Sequence, residues 1–167
     1  MRKMLLIPLI LCMVALLPTL WMPTVHATPP KEGSGTFDSS IEDTVDYYFP
    51  GGNVIMHSYG GGGELFGILE GRWIHDEWAV IHPSGIMTLT GVWDTPDGVT
   101  LNDDGESYFG NIHVRYWGTV DMATEVFEGQ WVILSGTGEL ANLRGHGTVG
   151  SDPAIGAYST FVYHFDP

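Results

Sequence analysis

Apolar and polar residues alternate with a period of two in short runs rich in Val, Ile, Thr, Tyr, Phe and Trp, and glycine-bearing breaks separate the runs. Successive side chains of a strand point to opposite faces, so this period predicts half-buried β-strands. The pattern predicts strands over Gly35–Ile41, Val45–Phe49, Asn53–Tyr59, Leu65–His75, Trp78–His82, Ile86–Trp93, Tyr108–Val120, Val126–Ser135 and Ala157–Phe165. No stretch carries apolar residues at helical spacing behind a proper cap. Turn chemistry falls between the runs at Gly51-Gly52, Pro83-Ser84-Gly85, Pro96-Asp97-Gly98 and Asp104-Gly105, which favours an antiparallel meander. Gly67, Gly71, Gly91, Gly118 and Gly129 lie inside the runs, where glycine usually marks bulges or the sharp bends needed to close a small barrel. The expected fold class is therefore all-β, a single antiparallel barrel.

The pattern breaks down at the N-terminus. Met1-Arg2-Lys3 precedes an uncharged apolar run, Met4–Met22, which ends at Val25-His26-Ala27 before Thr28-Pro29-Pro30-Lys31. That order predicts a signal peptide over residues 1–27 cut after Ala27, and Pro8 and Pro18 argue against a membrane-spanning helix. Residues 28–34, with two prolines and Gly33, read as a flexible leader, and residues 35–167 as the domain proper. The expected location is secreted or periplasmic, with no membrane attachment after cleavage.

Composition narrows the partners. Acidic residues number 20 against 6 basic, a net charge of −14, and Arg2 and Lys3 leave with the signal. Such a chain repels phosphate backbones and anionic lipid, so nucleic-acid binding is excluded. The single cysteine, Cys12, also lies in the signal, so the exported domain rests on its core and strand ladders without a disulfide.

One segment is more specific than composition. Phe127-Glu128-Gly129-Gln130-Trp131-Val132-Ile133-Leu134-Ser135-Gly136-Thr137-Gly138-Glu139-Leu140-Ala141-Asn142-Leu143-Arg144-Gly145-His146-Gly147-Thr148 resembles the C-terminal signature of the allene-oxide-cyclase-like barrels, particularly bacterial members. There a strand ends in a Gly-Thr-Gly turn, followed by Leu and a short Leu-Arg-Gly-x-Gly segment. The resemblance covers the last third of the chain closely and Glu64–Trp73 and Ile86–Trp93 loosely. It implies an eight-stranded barrel with a central cavity, shared with plant allene oxide cyclase and dirigent proteins, and it allows self-association. No residue set here matches the catalytic residues of those proteins position by position.

Candidate chemistry comes from the strand faces. Asn111, His113, Arg115 and Trp117 alternate with Ile112, Val114 and Tyr116. If the polar face points inward, His113 and Arg115 anchor a ligand; if the apolar face does, they meet solvent. Trp73, Trp93, Trp117 and Trp131 supply either core or the aromatic wall of a pocket. Glu64, Glu70 and Arg72 share a face opposite Leu65, Leu69, Trp73 and His75, as surface ion-pairing residues would. His75-Asp76-Glu77 and His82 lack metal-ligand spacing, and the acidic turn Asp94–Glu106 departs from the calcium-loop pattern, so no metal or cofactor is expected. The leading expectation is an exported barrel that binds a small, mostly apolar molecule through His113, Arg115, Trp117, Trp73, Trp93 and Trp131. The alternatives are an isomerase or cyclase resembling allene oxide cyclase, and a non-catalytic extracellular structural or interaction module.

Overall fold

The computed structural model describes residues 29–167 except Ile41 and Ile155; the expected signal peptide, its cleavage site, Cys12 and Trp21 lie outside the described residues. The regular structure of the described residues is strand, interrupted by two short 3-10 turns at Pro50–Gly52 and Gly138–Leu140. The strands are β1 (Lys31–Phe37), β2 (Thr44–Tyr48), β3 (Val54–Gly67), β4 (Leu69–Ile81), β5 (Ile86–Asp94), β6 (Val99–Asp103), β7 (Glu106–Gly110), β8 (Ile112–Asp121), β9 (Val126–Gly136), β10 (Leu143–Asp152) and β11 (Gly156–Phe165).

All pairings are antiparallel, and eight strands pair in a ring: β3, β1, β11, β10, β9, β8, β5, β4 and back to β3. β2 lies against the first half of β3, and the β6–β7 hairpin hangs from the start of β4. Each face of the expected alternation is preserved in β8. Ile112, Val114 and Tyr116 are buried inside the ring, whereas Arg115 and Trp117 are exposed outside it.

Glycines account for most departures from the predicted strands. The Gly60–Gly63 run is a bulged continuation of β3: Gly60 has a φ of 78°, and the register with β4 shifts between Tyr59 and Gly62. Gly67 (φ 109°) turns the chain, so the single predicted strand over Leu65–His75 is divided between β3 and β4. β10, read as a short Leu-Arg-Gly-x-Gly segment, is a full strand bonded on both sides to β9 and β11. The expected leader is shorter than residues 28–34, because Lys31–Gly35 pairs with Ser159–Tyr163 of β11.

One end of the ring is packed shut. Val99, Leu101, Ile112, Val114, Leu140 and Leu143 are almost wholly removed from solvent there. The β6–β7 hairpin lies across this end, touching several strands. Lys31 Nζ of β1 reaches Asp103 at 2.7 Å, Asn102 N–H donates to Ile68 O at 2.8 Å, and the Tyr108 ring lies 5.1 Å from Phe165 of β11. The acidic residues of the predicted Asp94–Glu106 turn are thereby dispersed: Asp94 bonds His113, Asp97 pairs with Arg72, and Asp103 pairs with Lys31.

Candidate functional site

Above the packed end the ring encloses a partly open cavity of about 240 Å³. Its wall is mainly aromatic, with Phe37 from β1, Trp73 from β4, Trp93 from β5, Tyr116 from β8, Phe127 and Trp131 from β9, and Phe161 from β11. The rings brace one another: Phe37 meets Trp73 edge-on at 6.0 Å, and Trp131 and Phe161 are 5.1 Å apart. Trp131 Nε1 donates to Ser159 Oγ at 3.0 Å, whereas the buried Nε1 of Trp73 has no hydrogen-bond partner among the described residues.

The wall has one polar sector, and β4 supplies its centre. The period of two places Trp73, His75 and Glu77 on the cavity side and Asp76 outside, where Asp76 bonds His57 at 2.9 Å. Tyr116 OH donates to Glu77 Oε2 at 2.8 Å, although β5 lies between their strands. That reach depends on Gly91, the β5 residue paired to both. A Cβ at position 91 would sit 2.9 Å from Tyr116 Cζ and 2.7 Å from Asp76 O, so only glycine leaves room for the phenol. Behind Glu77, His75 Nε2 contacts Asp43 Oδ1 at 3.0 Å and Ser58 Oγ at 3.1 Å. The Asp43 carboxylate occupies the space that a side chain at Gly61 would fill, which gives the glycine run of β3 a packing role.

Burial raises the Glu77 carboxyl above its ordinary value of 4.5, with the Tyr116 hydrogen bond and the positive potential of His75 opposing the rise and Asp43 adding to it. Burial first, and then the charge of Glu77, push the Tyr116 phenol far above its usual range, so Tyr116 is a permanent donor. Asp43, His75 and Ser58 do not form a nucleophilic triad. Both partners meet the same imidazole nitrogen, whereas a triad needs the acid on one nitrogen and the hydroxyl on the other.

Of the residues singled out in the sequence, Trp73, Trp93 and Trp131 line this cavity. His113, Arg115 and Trp117 do not. They occupy the outer face of β8, with His113 Nδ1 bonded to Asp94 Oδ1 at 2.6 Å, because the apolar Ile112, Val114 and Tyr116 gain more by burial within the ring. Arg72 is likewise outside, 3.4 Å from Asp97. Glu77 and Tyr116 were legible separately, one as part of a His-Asp-Glu run and the other as an apolar-face residue. Their meeting across β5 has no local sequence signal beyond Gly91.

No protein-family model matches the chain, and no curated protein matches it. A crystal structure of a protein of unknown function from the DUF3224 family of Shewanella oneidensis MR-1 is similar in fold, with a TM-score of 0.64 at 18% identity, covering 83% of this chain and 98% of that one.

Proposed function

We propose that this chain is an exported, closed β-barrel that binds a small, mostly apolar molecule carrying one polar group, the apolar part held by the aromatic wall and the polar group by the Glu77–Tyr116–His75 sector. The observation that carries this reading is the cavity of about 240 Å³ inside the strand ring. An apolar cavity of about 150 Å³ holds a benzene molecule, so this one suits a ligand of about ten non-hydrogen atoms. Export rests on the Met1–Ala27 pattern. The eight-strand ring and the Phe127–Thr148 segment support kinship with the allene-oxide-cyclase-like barrels.

The test is native mass spectrometry of the protein from Thr28 onward after incubation with a lipid and metabolite extract, beside Val149→Phe, which fills the cavity wall. A species of defined mass retained by the parent and lost in Val149→Phe is expected. Bare protein in both samples overturns the reading and favours an inert extracellular module.

A second reading, an isomerase or cyclase acting on the bound molecule, is favoured by Glu77 alone. A carboxyl with a raised pKa in an apolar cavity is suited to moving a proton. An unsaturated epoxide of about ten non-hydrogen atoms incubated with the protein would give cyclised product on this reading, and unchanged epoxide would count against it.

A further inference from the structure

Resting on the cavity reading, we propose that the occupant is a small organic cation, an ammonium on an apolar frame, with Glu77 as its counter-charge. Three features of the wall select charge. First, none of the lining residues is Lys or Arg, and Arg115, the cation nearest in sequence to Tyr116, points out of the ring. A carboxylate ligand would thus be buried beside the Glu77 carboxyl with no lysine or arginine to pair it, and His75 is already engaged by Asp43, which is strongly unfavourable.

Second, the polar sector is acidic as a unit. From β4 come Glu77 and His75, from the connection before β2 comes Asp43, from β3 the hydroxyl of Ser58 and from β8 the hydroxyl of Tyr116. Two carboxylates stand against at most one imidazolium, so with both carboxylates ionised the sector is negative whatever the state of His75. Among the described residues only Oε2 of Glu77 has a side-chain partner, which leaves Oε1 for a ligand N–H or for the face of a quaternary ammonium.

Third, the rest of the wall is built from groups that attract cations without neutralising them. Trp73, Trp93, Trp131 and Tyr116 come from four different strands around the cavity. Indole and phenol rings attract a desolvated cation to their electron-rich faces. The chain's net charge of −14 adds a long-range attraction of the same sign. Burial favours the protonated Glu77, and a bound ammonium takes the place of that proton's charge.

Three probes of about one size and differing in charge test this: 2-phenylethylammonium, 2-phenylethanol and phenylacetate, titrated into the mature protein at neutral pH and followed by tryptophan fluorescence and ligand-observed NMR. The ammonium should bind at least about tenfold more tightly than the alcohol, and phenylacetate most weakly. Glu77→Gln, which keeps the shape and an acceptor for Tyr116, should bring ammonium and alcohol to within about twofold of one another. Acidification of the unaltered protein should narrow the same ratio, since protonation removes the counter-charge. Alcohol binding as tight as the ammonium, or a ratio that neither Glu77→Gln nor acid changes, overturns the cation proposal and leaves the cavity reading standing. Binding of none of the three overturns both.

Discussion

The Glu77–Tyr116 contact makes a pH-dependent prediction for Tyr116→Phe. The substitution removes only the hydroxyl that donates to Glu77 Oε2 at 2.8 Å and preserves the ring that packs over Gly91. A hydrogen bond to a charged group contributes about 1.5–3 kcal/mol and one between neutral groups about 1 kcal/mol. The loss should therefore be about 2 kcal/mol at a pH above the raised folded pKa, where Glu77 is ionised, and about 1 kcal/mol at about pH 4, below its ordinary value, where it is protonated. The sign follows from linkage. Glu77 has a folded pKa raised above 4.5, so the folded state holds this proton more tightly than the unfolded chain. Its contribution to stability is complete below 4.5 and is lost as pH rises through the folded value. The Tyr116 donor offsets part of that loss by favouring the carboxylate, and deleting it steepens the decline. Urea denaturation at both pH values, in the parent and in a Glu77→Gln background, measures the difference; at the alkaline end the melting temperature should fall by about 5–8 °C. A loss equal at both pH values and undiminished in the Glu77→Gln background would refute the coupling between the two groups.

Other sites test the packing and the charges separately. Gly91→Ala should destabilise by about 1–3 kcal/mol, because the added methyl meets both the Tyr116 ring and the Asp76 carbonyl, and denaturant midpoints will show it. Leu101→Ala, at a fully buried position of the packed end, should lose about 2–5 kcal/mol by the same measurement, with no change in the tryptophan emission of the cavity wall. Glu77→Gln by itself should flatten the dependence of melting temperature on pH from about 4.5 upward, the window in which the raised carboxyl would otherwise titrate. Lys31→Met leaves the buried Asp103 without its cation, so the melting temperature should drop and amide exchange across Lys31–Phe37 should quicken; unaltered exchange there would show that β1 is held by its ladder with β11 and not by the ion pair.

What the sequence revealed, and what it hid, follows from how local each signal is. Alternation is local, so the two faces of β8 and the division of Glu70 and Arg72 from Trp73 and His75 on β4 could be read directly, and the structure keeps both divisions. Which face turns inward is not local, since it depends on the partner strands, and for β8 the apolar set prevailed. β10 was hidden because Gly145, Gly147 and Gly150 carry little strand propensity. Its stability as a strand comes from ladders on both sides, to Phe127–Val132 of β9 and to β11. Lys31–Ser34 looked like a leader for the same reason: it contains Gly33 and little apolar surface, yet it pairs with β11 and is tied through Lys31 to the β6–β7 hairpin.

The polar sector shows the limit most clearly, because each of its members reads innocently alone. Glu77 belongs to a charged run, Tyr116 to an apolar alternation, Asp43 to a loop and Gly60–Gly63 to a break. They converge only when three registers hold at once: β4 against β5, β5 against β8, and β3 with its bulge against β4. A one-residue slip in any of them would turn an entire face outward and send Glu77 or Tyr116 to solvent. Two glycine positions relieve the crowding that the convergence creates, Gly91 beneath the phenol and Gly61 beside the Asp43 carboxylate. A sheet that needed only a packed interior could fill position 91 with a β-branched residue and gain strand propensity. Its glycine instead admits a buried tyrosine whose hydroxyl reaches a carboxylate two strands away, so the part of the wall that costs stability is also the part that gives the cavity its charge.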